Sequence, residues 1–249
     1  MNRFNKQTGD AIGWAAWSWN PMTGCRHGCS YCYARDIAER FKGTGAFPDG
    51  FEPTERPDRL EAPFTTPLPK ETGAARRVFL GSMTDFWGAW QRRGYQAEVL
   101  EAIRRSPAWT YLNLTKDIGN VLRSGLTLPP NLWQGATVDR RAVLQRTVEE
   151  LKRIKAEHGV VTWISFEPMF EPMDGVIDDW RGIDWIVIGG ASRTRATPAY
   201  FPPADQVDRL TEEARSGGVK VWHKENLGRP ADRRLTETPA PLTGQGVMF

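Results

Sequence analysis

The stretch Cys25-Arg26-His27-Gly28-Cys29-Ser30-Tyr31-Cys32 contains all three cysteines of the 249-residue chain. It follows an apolar segment at 15–19 that predicts a strand, and it precedes residues 33–41, whose apolar spacing predicts a helix. Three thiolates spaced C-x₃-C-x₂-C on such a turn can hold three irons of a [4Fe–4S] cluster. Because such clusters normally have four cysteine ligands, a set of three leaves one iron open to a small molecule.

The same stretch offers a zinc site as an alternative. Structural zinc takes four ligands, and adding His27 to Cys25, Cys29 and Cys32 gives a Cys₃His set within one loop. These ligands are so close in sequence that a tetrahedral shell would be strained, and structural zinc loops typically draw their ligands from two separated pairs. The spacing therefore favours iron–sulfur over zinc and leaves both open.

The composition is that of a globular protein, with 40% hydrophobic and 25% charged residues. The net charge of +3 and the pI of about 8.8 are too mild to indicate nucleic-acid binding by themselves. We find neither a secretory signal nor an apolar stretch of roughly 20 residues that could span a bilayer. The sequence predicts a cytoplasmic protein without a membrane partner, in which clustered cysteines indicate a metal or redox site.

Apolar runs of strand length alternate with helical patterns along the chain. Strands are predicted at 15–19, 78–83, 110–114, 132–138, 160–166, 185–188 and 219–223. Such alternation is typical of βαβ units and a parallel sheet. Six or seven units, with no glycine-rich phosphate loop, favour a full or partial (β/α) barrel over an open doubly wound sheet. We expect one domain over 1–249, with a long surface excursion at 43–76 and an irregular tail at 228–249.

Polar side chains follow six successive predicted strands. They are Ser82, Thr84 and Asp85; Asn113, Thr115 and Lys116; Thr137 and Asp139; Ser165 and Glu167; Gly189, Gly190 and Ser192; and His223, Lys224, Glu225 and Asn226. In barrels, chemistry takes place where strands end and their loops begin. The pattern therefore predicts a polar pocket at one rim of the barrel, beside the cysteine turn.

The cysteine spacing, with aromatic Tyr31 directly before Cys32, resembles the radical S-adenosylmethionine (SAM) superfamily. More closely, the chain resembles a phage-associated, three-cysteine family long described as of unknown function. The matching stretches are WNPMTGCRHGCSYCYARDIAERF (19–41), VFLGSMTDFWGAW (78–90), LNLTKD (112–117), LWQGATV (132–138), ISFEPM (164–169), DWIVIGGAS (184–192) and VWHKENLG (221–228). They cover most of the chain in order, so the resemblance is to a whole domain.

This resemblance implies a partial (β/α)₆-type, TIM-like barrel with the cluster at its top. SAM would chelate the open iron. One-electron reduction of SAM would then release a 5′-deoxyadenosyl radical, which would abstract hydrogen from a substrate. The cofactors supply that chemistry, and the protein supplies positioning and exclusion of water. A flavodoxin or ferredoxin is the expected electron donor.

The resemblance also implies roles for particular residues. Cys25, Cys29 and Cys32 would be the cluster ligands, and Tyr31 would lie near the adenine. The segment containing Gly81, Ser82, Thr84 and Asp85 stands where the superfamily binds the SAM amino group, although it lacks the usual glycine-glycine-glutamate form. Thr137 and Asp139 are candidates for the ribose, Gly189 and Gly190 for further cofactor contacts, and Glu167, Lys116 and Lys224 for the substrate or the SAM carboxylate.

Three functions follow as hypotheses. The first is a radical SAM enzyme that rearranges a nucleic-acid-related substrate, such as a hypermodified thymine base in phage DNA, with Arg193 and Arg195 available for phosphate. A phage-encoded enzyme of this kind would act in the host cytoplasm. The second is a radical SAM DNA-repair lyase resembling photoproduct lyase. The third is a zinc-stabilised binding module without catalysis.

Overall fold

An eight-stranded sheet is the frame of the computed structural model, which describes residues 3–8 and 12–240. The strands are β1 (Asn5–Lys6), β2 (Trp17–Trp19), β3 (Met22–Thr23), β4 (Thr54–Glu55), β5 (Arg77–Leu80), β6 (Thr110–Thr115), β7 (Leu132–Thr137), β8 (Thr162–Phe166), β9 (Trp185–Ile188) and β10 (Lys220–His223). The sheet order is β1-β2-β5-β6-β7-β8-β9-β10, and β3 pairs separately with β4. Only β1 runs antiparallel within the large sheet.

Helices connect most of these strands and cover one face of the sheet. They are α1 (Tyr33–Arg40), α2 (Ala62–Thr65), α3 (Arg93–Arg104), α4 (Gly119–Ser124), α5 (Leu144–His158) and α6 (Ala204–Ser216). The amphipathic pattern of α5 buries Leu144, Val148, Leu151 and Ile154, and Gly159 ends the helix in a left-handed conformation. None of the described helices has the length and apolar character needed to span a bilayer.

The predicted mixed α/β domain with a mostly parallel sheet is confirmed. All seven predicted strands are present in order, and the edge strands β1 and β10 do not pair with each other, so the barrel is not closed. Within the described chain, five of the six crossovers between parallel strands contain a helix, whereas residues 167–184 contain none. The predicted excursion at 43–76 carries β4 and α2, and residues 241–249 of the predicted tail lie outside the described residues.

Tryptophan side chains fill the lower half of the sheet's inner face. We define the tryptophan floor as Trp14, Trp133, Trp163, Trp185 and Trp222. The rings of Trp163 and Trp185 lie 5.0 Å apart, and that of Trp14 lies 5.1 Å from Trp163. Because side chains alternate between the two faces of a strand, the opposite, outer face of the sheet packs against the helices.

The same alternation places predicted site residues above the floor. Thr137 lies four residues beyond Trp133 on one face, Glu167 four beyond Trp163, Gly189 four beyond Trp185 and Lys224 two beyond Trp222. Backbone hydrogen bonds from Gly189 N to Phe166 O (3.0 Å) and from Lys224 N to Ile188 O (2.9 Å) keep these strand ends in register. The upper rim is therefore the end of the barrel at which a ligand has access.

The tryptophan floor depends on a close approach of backbone and ring at Gly135. A Cβ added to Gly135 would lie 2.4 Å from the Trp163 ring. We expect Gly135→Ala to lower the free energy of unfolding by roughly 1–3 kcal/mol through overpacking, measured by urea denaturation. Gly45→Ala is the matched control, because nothing lies within 4 Å of its Cβ position. Equal stabilities of the two variants would contradict the packing account.

His223 joins β10 to α6 and to the segment that follows. Its Nδ1 accepts a hydrogen bond from Leu235 N (3.3 Å), so the neutral ring carries its proton on Nε2, which lies 2.9 Å from Thr211 Oγ1. The side chain is buried, and burial lowers the pKa of His223 to about 4, with a smaller contribution from the charge of Arg229. Protonation of Nδ1 would create an N–H that faces the Leu235 N–H, and the hydrogen bond between these two groups would be lost.

Stability should therefore fall on acidification. Because the pKa of His223 is lower in the folded state than its ordinary 6.5, the unfolded chain binds the extra proton between about pH 6.5 and pH 4. Stability is complete above this window and decreases by up to about 3 kcal/mol as pH falls through it. Urea denaturation at several pH values should show a shallower slope for His223→Gln, and an unchanged slope would refute this origin.

Candidate functional site

The cysteine loop is bound tightly to the loop that follows β5. Gly24 N donates to Met83 O (2.9 Å), and Thr84 Oγ1 donates to Gly24 O (2.7 Å). Gly24 has φ +85°, and a Cβ there would lie 2.2 Å from Glu52 O, so this position requires glycine. The predicted SAM-amino segment thus lies directly beside the cysteines.

Asp85 connects three loops at the mouth of the barrel. Its Oδ2 accepts hydrogen bonds from Lys116 N (2.9 Å) and lies 2.6 Å from His27 Nε2, while its Oδ1 accepts from Trp87 N (3.0 Å). The side chain is only 7% exposed. This buried carboxylate fixes the cysteine loop relative to the ends of β5 and β6.

The three cysteines are free and half-buried. Cys32 begins α1, and its Sγ accepts a hydrogen bond from Arg35 N (3.4 Å). Burial raises the pKa of Cys25 to about 11, and negative charge on Asp85 and on the other two thiols adds to the shift. Burial also raises the pKa of Cys32. Without a cation, the thiols of Cys25 and Cys32 therefore resist ionisation.

The loop offers three thiols as candidate metal ligands. Bound metal stabilises thiolates that burial and mutual repulsion would otherwise disfavour. In the described ranges, no three His, Cys, Asp or Glu side chains are arranged to hold a single ion. The bond between His27 Nε2 and Asp85 leaves Nδ1 as the ring nitrogen available to a metal. In a [4Fe–4S] cluster each cysteine would ligate a different iron, so the three sulfurs would surround the cluster and would not meet at one ion. Gly28, with φ +73°, has no atom within 4 Å of its Cβ position, which leaves space beside the loop.

A polar network lies above this loop. Tyr31 Oη donates to Asp139 Oδ2 (2.5 Å), and Lys116 Nζ donates to both Tyr31 Oη (2.6 Å) and Asp139 Oδ2 (2.5 Å). Burial and the bond to Asp139 raise the pKa of Tyr31 well above its usual value. Burial opposes ionisation of Asp139, but the bonds from Lys116 and Tyr31 prevail and lower its pKa. The network therefore holds a carboxylate, a phenol and an ammonium together.

A cavity of about 380 Å³ opens between the ends of β6 and β7 and the start of α5. Its lining includes His27, Cys29, Lys116, Thr137 and Asp139. Ligand sites in proteins typically have volumes of roughly 300–1,000 Å³. The cavity therefore brings one cysteine together with both predicted ribose residues and one of the predicted substrate lysines.

A second polar group lies at the ends of β8, β9 and β10. Lys224 Nζ forms an ion pair with Glu167 Oε1, and Asn226 Nδ2 donates to Glu167 Oε1 (3.4 Å) and to Gly190 O (2.9 Å). A Cβ on Gly190 would lie 2.2 Å from Tyr200 O, and one on Gly189 would lie 3.0 Å from Asn226 Oδ1. Protein atoms therefore occupy the space beside these two glycines.

The predicted residues thus form two groups. The first joins the cysteine loop to Tyr31, Asp85, Lys116, Thr137 and Asp139 around the cavity. Glu167, Lys224, Gly189 and Gly190 form the second and do not line that cavity. Tyr33 Oη donates to Ser82 O (2.8 Å), which places its hydroxyl beside the loop that follows β5.

Several residues that build the site were not predicted. Asn20 Nδ2 donates to Ser82 Oγ (2.9 Å), and Asn20 Oδ1 accepts from Met83 N (2.9 Å). Phe170 packs its ring 5.8 Å from that of Tyr31. Thr194 Oγ1 donates to Ser30 O (3.3 Å), which brings the loop after β9 to the cysteine loop. The Asn-Pro pair at 20–21 indicates the end of a strand, but it does not indicate the hydrogen bonds between Asn20 and the loop that follows β5.

Fold and site together define a mixed α/β protein with a mostly parallel eight-stranded sheet and a three-cysteine loop at the barrel mouth. The chain belongs to the family described as Protein of unknown function (DUF5131), whose model matches residues 9–240. No curated protein matches the chain. It is similar to a solved structure, "Spore photoproduct lyase complexed with dinucleoside spore photoproduct", with a TM-score of 0.54 and 10% identity over 88% of this chain and 79% of that one. At this identity the similarity shows the fold alone.

The three hydrogen bonds that Asp85 accepts lead to a prediction about stability. In Asp85→Asn the amide can no longer accept from all three donors, and its NH₂ group would face an N–H. We expect the free energy of unfolding to fall by about 1–3 kcal/mol, measured by urea denaturation of the metal-free protein. The exposed Asp49→Asn should change stability by less than about 0.5 kcal/mol. Similar small effects at both positions would show that the hydrogen bonds of Asp85 contribute little to stability.

Proposed function

We propose that this protein is a radical SAM enzyme that acts on a nucleic-acid-related substrate. The observation that carries the proposal is the half-buried three-cysteine loop at the end of the first parallel strand, directly beside a polar cavity. The radical SAM-like fold supports it, because active sites of such sheets lie at the carboxyl ends of the strands.

Cys25, Cys29 and Cys32 would hold a [4Fe–4S] cluster. When bound, the cluster supplies the electron that cleaves SAM reductively, so that a radical can remove hydrogen from a substrate. The protein contributes the arrangement around it. Asp85 fixes the loop through His27, and the tryptophan floor keeps ligands at the upper rim.

The cavity suits the nucleoside part of SAM. Asp139, held ionised by Lys116 and Tyr31, can accept hydrogen bonds from ribose hydroxyls, and Thr137 lines the same wall. The ring of Tyr31 offers a face for the adenine. Gly81, Ser82 and Thr84 hold the loop beside the cysteines. The Glu167–Lys224 pair forms the part of the rim assigned to the substrate or the SAM carboxylate, and Gly189 and Gly190 lie beside it as candidates for further cofactor contacts.

The nucleic-acid part of the proposal is supported by two observations. The structurally similar lyase was solved with a dinucleoside, and Arg193 and Arg195 are exposed on the loop that reaches the cysteines. We infer rearrangement of a modified thymine base in phage DNA, within the host cytoplasm. Because of the dinucleoside complex, a lyase for thymine photoproducts is the second candidate.

The cofactor can be tested by anaerobic reconstitution. The wild type should bind about four irons and four sulfides per chain and release 5′-deoxyadenosine and methionine from SAM with dithionite. Alanine at Cys25, Cys29 or Cys32 should abolish both. Ser30→Ala, in the same loop, should retain both. A protein that binds zinc, contains no sulfide and leaves SAM intact would refute the proposal in favour of a binding module.

The substrate is tested separately. Mass spectrometry of nucleosides, after incubation with phage DNA or with ultraviolet-irradiated DNA, should show a new modified base only with the former. Repair of photoproducts would instead establish the lyase. If neither DNA changes while SAM is cleaved, the nucleic-acid assignment is wrong and the chemistry stands.

A further inference from the structure

Phe170 and Tyr200 form a pair of neighbouring aromatic rings at the upper rim, and we name them the rim ring pair. Their ring centroids lie 5.2 Å apart at an interplanar angle of 52°, and Tyr200 Oη donates to Phe170 O (3.4 Å). The ring of Tyr31 lies 5.8 Å from that of Phe170 at an angle of 64°. Because neither neighbour lies parallel to the ring of Phe170, which is 39% exposed, parallel stacking on this ring remains open to a ligand.

The segment that carries Phe170 is fixed by Arg141. Arg141 Nη1 donates to Pro172 O (2.9 Å) and to Asp174 O (2.7 Å), and Arg141 N donates to Glu171 Oε1 (2.5 Å). Because the donors of a guanidinium have a fixed planar arrangement, these bonds hold the backbone directly after Phe170 in one conformation. A surface that is already ordered loses little conformational entropy when it binds a ligand.

The polar side chains of the rim are less accessible than the ring of Phe170. Glu167, three residues before Phe170, is 24% exposed, and its ion-pair partner Lys224 is 10% exposed. Neighbouring bases cover both faces of a base in a duplex, and enzymes that modify a base flip it out of the stack or act on single strands. A thymine that reaches Glu167 and Lys224 must therefore leave its stack, and an exposed aromatic ring can replace the contact that it loses.

We propose that the rim ring pair binds an unpaired base of the DNA substrate by stacking, so that the enzyme recognises single-stranded or locally unpaired DNA. This inference rests on the proposed function and specifies the form of its substrate. Every base has a π-face that an aromatic side chain can cover, and such stacking tolerates different sequences. The ring pair thus supplies affinity for a base, while Glu167 and Lys224 lie within the rim behind it.

The size of the surface favours a base over a protein partner. A fully buried aromatic side chain covers roughly 150–250 Å², so Phe170 at 39% exposure offers about 60–100 Å². A stable protein interface buries about 800 Å² on each partner, and the half-buried Tyr200 adds too little to approach that area. A single base needs only one ring on which to stack.

The experiment measures binding of the reconstituted protein to DNA by fluorescence anisotropy. The probes are oligothymidylate, its duplex with oligoadenylate, and a strand of the same length that lacks bases. Phe170→Leu removes the aromatic face but keeps an apolar side chain, whereas Phe170→Tyr keeps the ring. We expect Phe170→Leu to weaken binding of oligothymidylate roughly tenfold or more and Phe170→Tyr to retain most of the affinity. Wild type should bind the single strand more tightly than the duplex.

Two controls separate stacking from a general effect on the fold. Phe64→Leu changes a ring that is 41% exposed on α2, whose Pro63 O accepts from Trp109 Nε1 (3.2 Å) directly before β6, at the opposite end of the strands. This variant should bind oligothymidylate like the wild type. The strand without bases should be bound equally by the wild type and by Phe170→Leu, because it offers no base for stacking.

The outcomes separate this inference from the proposed function. Wild type that binds none of the DNA probes overturns the inference together with the nucleic-acid part of the function. Wild type that binds oligothymidylate, while Phe170→Leu binds it like Phe64→Leu, overturns only the stacking site. Equal affinity for single strand and duplex, or an equal loss of affinity for the strand without bases, also overturns it. Loss of self-association in Phe170→Leu with DNA binding intact would assign the ring pair to a second copy of the chain.

Discussion

The mouth of this barrel depends on one buried carboxylate. A charged group removed from water is costly unless hydrogen bonds compensate for its lost hydration. Asp85 meets that condition because His27 and Lys116 bring N–H groups to it from two other loops, and Trp87 donates a third from the same loop. The donated hydrogen bonds compensate for the lost hydration of the carboxylate. The carboxylate in turn fixes the cysteine loop and the loops after β5 and β6 relative to one another. The cysteines therefore sit on a loop whose position is set by the strand ends around it.

The tryptophan floor determines where chemistry can take place. Large rings leave little free volume inside a closely packed sheet, so the free space of the barrel interior lies toward the upper rim. There Tyr31, Lys116 and Asp139 satisfy one another in the absence of a ligand. Because low local dielectric strengthens such bonds and penalises unpaired groups, a ligand in the cavity must replace the partners it displaces. Ribose hydroxyls, which both donate and accept, are suited to that exchange.

The sequence allowed the parallel sheet and the polar rim to be predicted for a simple reason. Each long strand shows its own pattern, and parallel strands end at one edge whatever their neighbours are. Short elements such as β1 and the β3–β4 pair contain too few residues for any periodicity. The division of the rim into two groups depends on which loops fold inward, and long-range contacts decide this. Gly190 is an example: a Cβ there would lie 2.2 Å from Tyr200 O, and the sequence shows the glycine but not the distant residue that approaches it.

The cysteine loop lies between a polar cavity and helix α1. The cavity reaches Cys29, whereas Cys25 and Cys32 pack with the buried side of α1. A ligand in the cavity would therefore approach the loop at Cys29, and the helix shields the other two thiols. Fold similarity at 10% identity shows the fold alone. The proposed function depends instead on the placement of three thiols beside a polar cavity.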